Sequence, residues 1–368
     1  MKTAVIVIPT YNESGDIESL ILQIEQVVRQ INNWSIHILI VDSKSPDRTA
    51  DIVKKIMKTN TYVHLLETEK EGLGKAYIHG FTYAIETLHA YVVFEMDADF
   101  SHDPKEIPNF LKCIEQGADF VIGSRYIKGG SIPKDWGIHR KLFSILGNLI
   151  VRFGFMKLKI TDWTDGYRAI KTWIINSTLE HIQQYSGYVF QIALLDKAIQ
   201  ENAHVVEIPI NFIDRKKGVS KINAVQYVFQ MLMYVFTKSS FIKYVIVGVI
   251  GFSIDFGLSF ILIERVRLII WLATLLSAEA AIINNFFFNN FWSFSHKKIN
   301  SSFFSYVTKF LKFNLVSAGA IVIQVIGILI LTLIFGTQWW YIYKIGIIAF
   351  IVIPYSYFFY NKFIWKDR

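Results

Sequence analysis

The chain holds one cysteine, Cys113, in 368 residues. This excludes an intrachain disulfide and a thiolate metal site, and leaves the side chain to fill a helix face. Charge is also scarce, at 18% against 52% hydrophobic and 15% aromatic residues, which is too apolar for an ordinary soluble protein. The net charge of +8 forms no single basic stripe, because the Lys and Arg are scattered or flank apolar runs. That excludes nucleic acid as the expected partner and favours a membrane surface with anionic headgroups. No leader pattern opens the chain, which enters a strand directly at Thr3–Pro9. No cleavable signal peptide is therefore expected, and the first domain is expected to stay in the cytoplasm.

What is present changes along the chain. Up to about Asn211 the text reads as α/β, and nearly everything after Phe241 is apolar. Thr3–Pro9 and Ile36–Val41 are short continuous apolar runs, as in parallel strands buried on both faces. Between them Asp16 to Ile31 carries helical spacing, and Ser45-Pro46-Asp47 reads as an N-cap with Pro at the first helical position. Tyr62–Leu66 and Asp119–Ile122 continue the strand series, and Glu207–Phe212 reads as a late strand. The alternation predicts a doubly wound, mostly parallel sheet. Gly72-Leu73-Gly74-Lys75-Ala76 is neither a dinucleotide fingerprint nor a Walker loop, and is expected to be either a turn with Lys75 near the crevice or a phosphate contact, before a helix at Tyr77–Leu88.

The chemistry centres on Tyr91 to Pro104, a buried strand that runs into Asp97-Ala98-Asp99. Side chains alternate along a strand, so the two carboxylates are expected to project the same way past its end, where α/β sheets bind ligands. A hard divalent ion would make that pair useful to a substrate diphosphate. Asp103 before Pro104 is expected to cap the next helix.

Two helices, at Arg140–Lys157 and Val225–Phe236, combine apolar bodies with basic ends and read as lying in a membrane interface. Four runs follow, Tyr244–Ile263, Leu268–Phe291, Phe313–Phe335 and Tyr341–Phe359, each about long enough to cross a core of ~30 Å. Lys238, Lys243, Lys297, Lys298, Lys309, Lys312, Lys362, Lys366 and Arg368 place both ends inside, with Arg265 and Arg267 in an opposite loop. Asp255 and Glu279 fall within these runs, either as functional groups or as helix-packing devices.

Eight ordered segments carry a resemblance: Pro9-Thr10-Tyr11-Asn12-Glu13, Val41-Asp42, Ser45-Pro46-Asp47, Met96 to His102, Gly123-Ser124-Arg125-Tyr126, Asp165-Gly166-Tyr167-Arg168, Gly187 to Gln191, and Asp214-Arg215 through Lys221. With them the first ~230 residues resemble the family 2 glycosyltransferases of the polyprenyl-phosphate (dolichyl-phosphate) mannose synthase type. The tail, with Asn284-Asn285-Phe286 and Asn289 to Phe294, resembles the GtrA-like four-helix membrane domain.

The resemblance implies a GT-A domain over 1–220, with an interface helix at 139–157, a juxtamembrane amphipathic helix at 221–240 and a four-span membrane domain over 241–368. It implies inverting transfer of mannose from GDP-mannose to a polyprenyl monophosphate at the cytoplasmic face. Pro9, Tyr11, Asn12, Glu13, Val41, Asp42, Asp97, Ala98, Asp99, Arg215 and Lys221 would hold the nucleotide. Arg125, Arg140 and Ser144 would meet the lipid phosphate, and Asp97, Asp99 and Ser101 a divalent metal, Mg²⁺ or Mn²⁺. Asp97, Asp99, Arg125 and Arg215 would carry the catalysis. Two positions depart from the family: Ser43 stands where a second Asp is usual, and Ser101 where some members carry a metal-binding Gln, for which His102 or water would substitute. A largely dianionic acceptor phosphate needs no strong base, so the work is to bring two anions together with a metal and arginines. The alternatives are the same reaction with UDP-glucose or another sugar nucleotide, and a lipid-linked-sugar transporter whose soluble domain is a sensor.

Overall fold

The computed structural model describes residues 1–185, 187, 189–214, 224–297, 299, 302–336 and 338–365. They form two units, Met1–Val235 and Phe236–Arg368.

Seven strands build the sheet of the first unit: β1 (Lys2–Thr10), β2 (Trp34–Asp42), β3 (Val63–Glu67), β4 (Val92–Glu95), β5 (Phe120–Ser124), β6 (Arg168–Lys171) and β7 (Val205–Pro209). Their spatial order is β3-β2-β1-β4-β6-β5-β7, and every pairing is parallel except the two made by β6. The apolar runs form the central strands because both faces are covered: Ala4 to Ile8 and Val92 to Phe94 are wholly buried. Helices α1 (Ile17–Val28), α2 (Thr49–Met57), α3 (Leu73–Glu86) and α4 (Ile107–Glu115) connect the strands. Ile17, Leu20, Ile21 and Ile24 of α1 and Ile107, Phe110, Leu111 and Ile114 of α4 join the core from their apolar stripes. Cys113 packs half-buried against the same core. Asp103 does cap the turn at Pro104, accepting from Lys105 N.

Three local expectations are corrected. Strand β6 is absent from the expected strand series; its four residues begin with an arginine, and only pairing with β4 and β5 makes them a strand. Ser45 caps no helix: α2 begins at Thr49, after Arg48 in a left-handed conformation (φ 66°). Helix α3 begins four residues early, at Leu73, so Gly74 lies in its first turn. A Cβ on Gly74 would sit 2.3 Å from the Tyr185 carbonyl oxygen and 2.8 Å from Phe190 Cβ. The glycine is there for close approach between α3 and the start of α7 (Val189–Gln200). Gly74→Ala is expected to destabilise the protein by roughly 1–3 kcal/mol through overpacking against backbone that cannot yield. Thermal melts of the detergent-purified protein check this.

Helices α5 (Ile138–Phe155), α6 (Thr172–Ile182) and α8 (Ala224–Lys238) complete the unit. Helices α5 and α8 pack together where Gly147 meets Met231 and Gly154 meets Val235. The rest of α5 leaves Ile138, Leu142, Phe143, Leu146 and Phe153 exposed, and α8 does the same with Phe229, Leu232 and Met233.

The second unit holds α9 (Ser240–Phe260), α10 (Ile270–Phe288), α11 (Phe303–Phe335), α12 (Trp340–Ile347) and α13 (Ile353–Phe363), with π-helical turns extending α9 and joining α12 to α13. Among the described residues three helices are long and apolar enough to cross a membrane: Ser240–Arg265, Phe303–Phe335 and Ile342–Phe363. The run expected at Leu268–Phe291 folds as α10, an apolar helix interrupted by Glu279, Asn284 and Asn285. The third run starts ten residues before Phe313 and gives a 33-residue helix, about 50 Å long at 1.5 Å per residue. The asparagines serve packing. Asn285 fills the space over Gly251, where a Cβ would lie 2.2 Å from its Oδ1. Asn290 Oδ1 accepts from Ile299 N (2.9 Å) and Trp365 Nε1 (3.1 Å). Asp255 accepts from Ser277 Oγ at 2.6 Å, a tie between α9 and α10.

Candidate active site

The parallel register puts the ends of three strands on one edge. Thr10 of β1 faces Asp42 of β2, and Val7 of β1 faces Glu95 of β4. Pro9-Thr10 and Val41-Asp42 close β1 and β2, and beyond these ends stand Tyr11-Asn12-Glu13 and the Asp97–Asp99 segment. The first two turns are stitched together. Asp42, fully buried, accepts from Thr10 Oγ1 (2.9 Å), Ser45 N (2.8 Å) and Ser45 Oγ (2.6 Å). Ser45 Oγ in turn receives the N–H of Asn12, which sits at φ 58°. Thr49 Oγ1 receives Glu13 N, and Asp47 receives Ser14 N (2.9 Å) and Thr49 N (3.1 Å). Although burial works against its charge, these bonds hold the Asp47 carboxyl below its ordinary range. Lys70 lies 3.6 Å over the Tyr11 ring. Ser45-Pro46-Asp47 is thus a brace between two strand ends, which its sequence also permits.

Past β4, Asp99 Oδ1 accepts from Ser101 N at 3.1 Å, across the left-handed Phe100 (φ 62°). The Asp97 side chain is 39% exposed, whereas its own N–H donates inward to His102 Nδ1 at 3.0 Å. Ser101, offered as a metal ligand, is buried, and its backbone orients Asp99.

On the other side of the sheet edge, Arg125 follows β5 with its guanidinium buried. Its Nε and Nη2 donate to the two oxygens of Asp162 at 2.7 and 2.8 Å, and Nη2 also reaches Thr164 Oγ1 at 2.9 Å. Asp165 Oδ2 stands 3.3 Å from Nε. Burial alone would raise Asp162, but the Arg125 charge and hydrogen bonds hold it below the ordinary carboxylate range. Asp165, equally buried, is pushed up by desolvation against the pull of Arg125 and His102.

Arg140 and Ser144 share one face of α5, a helical turn apart. Arg140 stacks 4.1 Å over Trp136 and grips Asp214 through Nη1 (2.6 Å) and Nη2 (3.1 Å). Ser144 Oγ pairs with Tyr126 Oη at 2.6 Å, beside Arg125. The structure therefore gathers Arg125, Tyr126 and Ser144 into one cluster and ties Arg140 to Asp214. Arg215 and Lys221 lie outside the described residues.

Comparison with known proteins matches residues 5–179 to the glycosyl transferase family 2 model and residues 243–365 to the GtrA/DPMS transmembrane domain. The chain is 36% identical over 224 residues to the polyprenol monophosphomannose synthase of Mycolicibacterium smegmatis, covering 60% of this chain and 82% of that one. It belongs to the family 2 glycosyltransferases. This glycosyltransferase is also 30% identical over 331 residues to the dolichol-phosphate mannosyltransferase of Pyrococcus furiosus, covering 88% of each chain. Among solved structures, it is similar to glucosyl-3-phosphoglycerate synthase from Mycobacterium tuberculosis in complex with Mn²⁺, UDP and glucosyl-3-phosphoglycerate. That likeness has a TM-score of 0.45 and 15% identity, over 64% of this chain and 78% of that one.

Sequence reasoning did not assign roles to Asp162, Asp165, Arg168 or Glu95 of this glycosyltransferase. Arg168 opens β6 fully buried, donating to the carbonyls of Gln191 (2.7 Å) and Trp163 (2.9 Å). It stands 3.6 Å from Glu95 on the neighbouring β4, whose carboxyl burial pushes up to about 7 while Arg168 draws it down. The signal for Asp165 and Arg168 was their place in the Asp165–Arg168 segment, whereas Asp162 and Glu95 lie just outside the segments that carry the resemblance. Nothing in the text announced their mutual contact, because Arg168 meets Glu95 only across an antiparallel pairing.

A divalent metal fits the donors present. Asp97 and Asp99 are hard oxygen ligands at the strand end, and Mg²⁺ or Mn²⁺ takes one or two carboxylates while keeping water and phosphate oxygens. Among the described residues no cluster of three or more acidic, His or Cys side chains forms a metal cage. Such a site would take its remaining ligands from a substrate diphosphate.

Proposed function

We propose that this glycosyltransferase moves mannose from GDP-mannose to a polyprenyl monophosphate at the cytoplasmic membrane face, with inversion at the sugar C1. The observation that carries the reading is Asp97 and Asp99 beyond the carboxyl end of β4, next to the braced β1 and β2 turns. The curated relatives named above support the acceptor class and the sugar.

In this reading Pro9, Tyr11, Asn12, Glu13, Val41, Asp42, Ala98, Arg215 and Lys221 hold the nucleotide. Asp42 has both carboxylate oxygens engaged by Thr10 and Ser45, so it shapes the base pocket as much as it contacts the base. Asp97 and Asp99, with Ser101 orienting Asp99, hold the metal, which when bound neutralises the departing diphosphate. Arg140 and Ser144 meet the acceptor phosphate, and Arg125 stands behind them, its planar fork fixed by Asp162. The acceptor arrives as a dianion and attacks directly, so no side chain has to remove a proton first. The exposed apolar faces of α5 and α8 lie on the membrane surface, where the lipid phosphate is presented while its tail stays in the bilayer. The helices of 241–368 anchor the chain as four spans with both ends cytoplasmic.

The test is transfer in detergent by purified full-length protein, using a polyprenyl phosphate, Mg²⁺ or Mn²⁺, and separately labelled GDP-mannose, UDP-glucose and UDP-N-acetylglucosamine. Label entering lipid from GDP-mannose alone is expected. Transfer from a UDP-sugar in its place keeps the mechanism and overturns the donor.

A further inference from the structure

One buried imidazole lies behind the carboxylates and takes no part in the chemistry above. His102 is 1% exposed, its ring stacked on Tyr167 at 4.8 Å and 12° and edge-on to Phe212 at 5.9 Å. Its Nδ1 accepts the Asp97 N–H at 3.0 Å. An accepting nitrogen carries no proton, so the neutral ring is the Nε2–H tautomer. Nε2 is buried without a hydrogen-bonding partner among the described residues, and faces two carboxylates: Asp165 Oδ1 at 3.6 Å and Asp97 Oδ2 at 3.9 Å. Asp165 is itself fixed, beside Arg125 and bonded through Oδ1 to Tyr167 N. Gly166 lets the ring and Gln191 come close, since a Cβ there would lie 2.5 Å from Gln191 Nε2 and 3.7 Å from His102 Cε1.

We propose that His102 is a positioning residue for the divalent-cation site. Nδ1 fixes the Asp97 peptide, and therefore the direction in which its carboxylate leaves the chain. Asp165 and Tyr167 fix the ring. Asp97 lies past the last hydrogen-bonded residue of β4, so the sheet does not set its backbone, whereas the imidazole does. Groups that orient a metal ligand from behind change metal affinity without touching the ion. The inference rests on Asp97 being a ligand, as proposed above.

The test compares two amides in the full-length protein. In His102→Asn the amide oxygen takes the place of Nδ1 and keeps an acceptor for the Asp97 N–H. In His102→Gln the amide reaches the Nε2 position and leaves that N–H without one. Mn²⁺ affinity is read by electron paramagnetic resonance with GDP present, and melting temperature is followed alongside. We expect the glutamine variant to bind Mn²⁺ on the order of 10–100-fold more weakly, and the asparagine variant to stay within about threefold of wild type. KM for the nucleotide sugar rises in the glutamine variant, while KM for polyprenyl phosphate does not move. Leucine at 102 fills the ring's volume with no acceptor, carries the same expectation as glutamine, and replaces it if that variant unfolds. Wild-type Mn²⁺ affinity in a folded glutamine or leucine variant overturns the proposal, as does equal weakening by asparagine and glutamine. Asp97→Asn is measured beside them: unchanged Mn²⁺ binding there sinks the reading of Asp97 as ligand, whatever His102 does.

Discussion

Asp99→Ala is expected to lower transfer to polyprenyl phosphate on the order of 10³-fold while the protein stays folded. The side chain lies past the last hydrogen-bonded residue of β4 and accepts from Ser101 N within its own turn, so removing it leaves no cavity in the sheet. In the proposed mechanism it removes half of the carboxylate pair that would hold the cation, and the cation would neutralise the leaving diphosphate. Two anions, acceptor phosphate and nucleotide, must approach one another, and without the cation their repulsion stands in the barrier. The loss should fall on kcat rather than on lipid binding, because α5 and its phosphate-facing residues are untouched. Radiolabel incorporation into lipid, with a melt to show folding, checks this. Retention of more than a tenth of wild-type activity would remove Asp99 from the mechanism.

Asp162→Ala is expected to cost roughly 3–5 kcal/mol of stability, the largest effect on folding anticipated here. It strips Arg125 of both its short carboxylate contacts and leaves a guanidinium buried with Asp165 as its remaining carboxylate neighbour. The same carboxyl also receives the backbone N–H groups of Arg125 (3.1 Å) and Asp165 (3.1 Å), which lose their acceptor. The pH dependence has a definite sign. Asp162 is held below its ordinary value in the fold, so its stabilisation is complete above the unfolded pKa of about 3.9 and lost as pH falls through the folded value. The gap between variant and wild type should therefore be widest near neutrality and narrow in acid. Melting temperatures across that range measure it. A gap that widens in acid would mean that Arg125 is not what holds Asp162 ionised.

How much could be read beforehand depended on whether the signal was local. Ala4 to Ile8 announces a two-sided buried strand because five apolar residues in succession leave no face for water. The pair Asp97 and Asp99 is legible for the same reason, since carboxylates after such a run mark the sheet's carboxyl edge. Helix α5 shows its basic and apolar character in its own text, and its apolar face is exposed as that text implies. The polar interruptions of α10 are equally local.

The sequence by itself determined the sheet's dominant direction, the place of the carboxylate pair and the apolar second half, because periodicity and composition are properties of short stretches. The tertiary structure decided the rest. Strand β6 exists because β4 and β5 present unpaired edges for Arg168–Lys171 to fill, not because those four residues prefer extension. Arg125 meets Asp162 across 37 positions, and Asp97 reaches Asp165 through His102, contacts that no local pattern encodes. Ser45 looked like a helix cap and became a strut for Asp42, since a hydroxyl bonds whichever backbone or carboxylate the fold brings within 3 Å. Long-range polar pairing is settled by which chain segments the sheet makes neighbours, and that is the physical reason the site's frame appears only once the sheet is assembled.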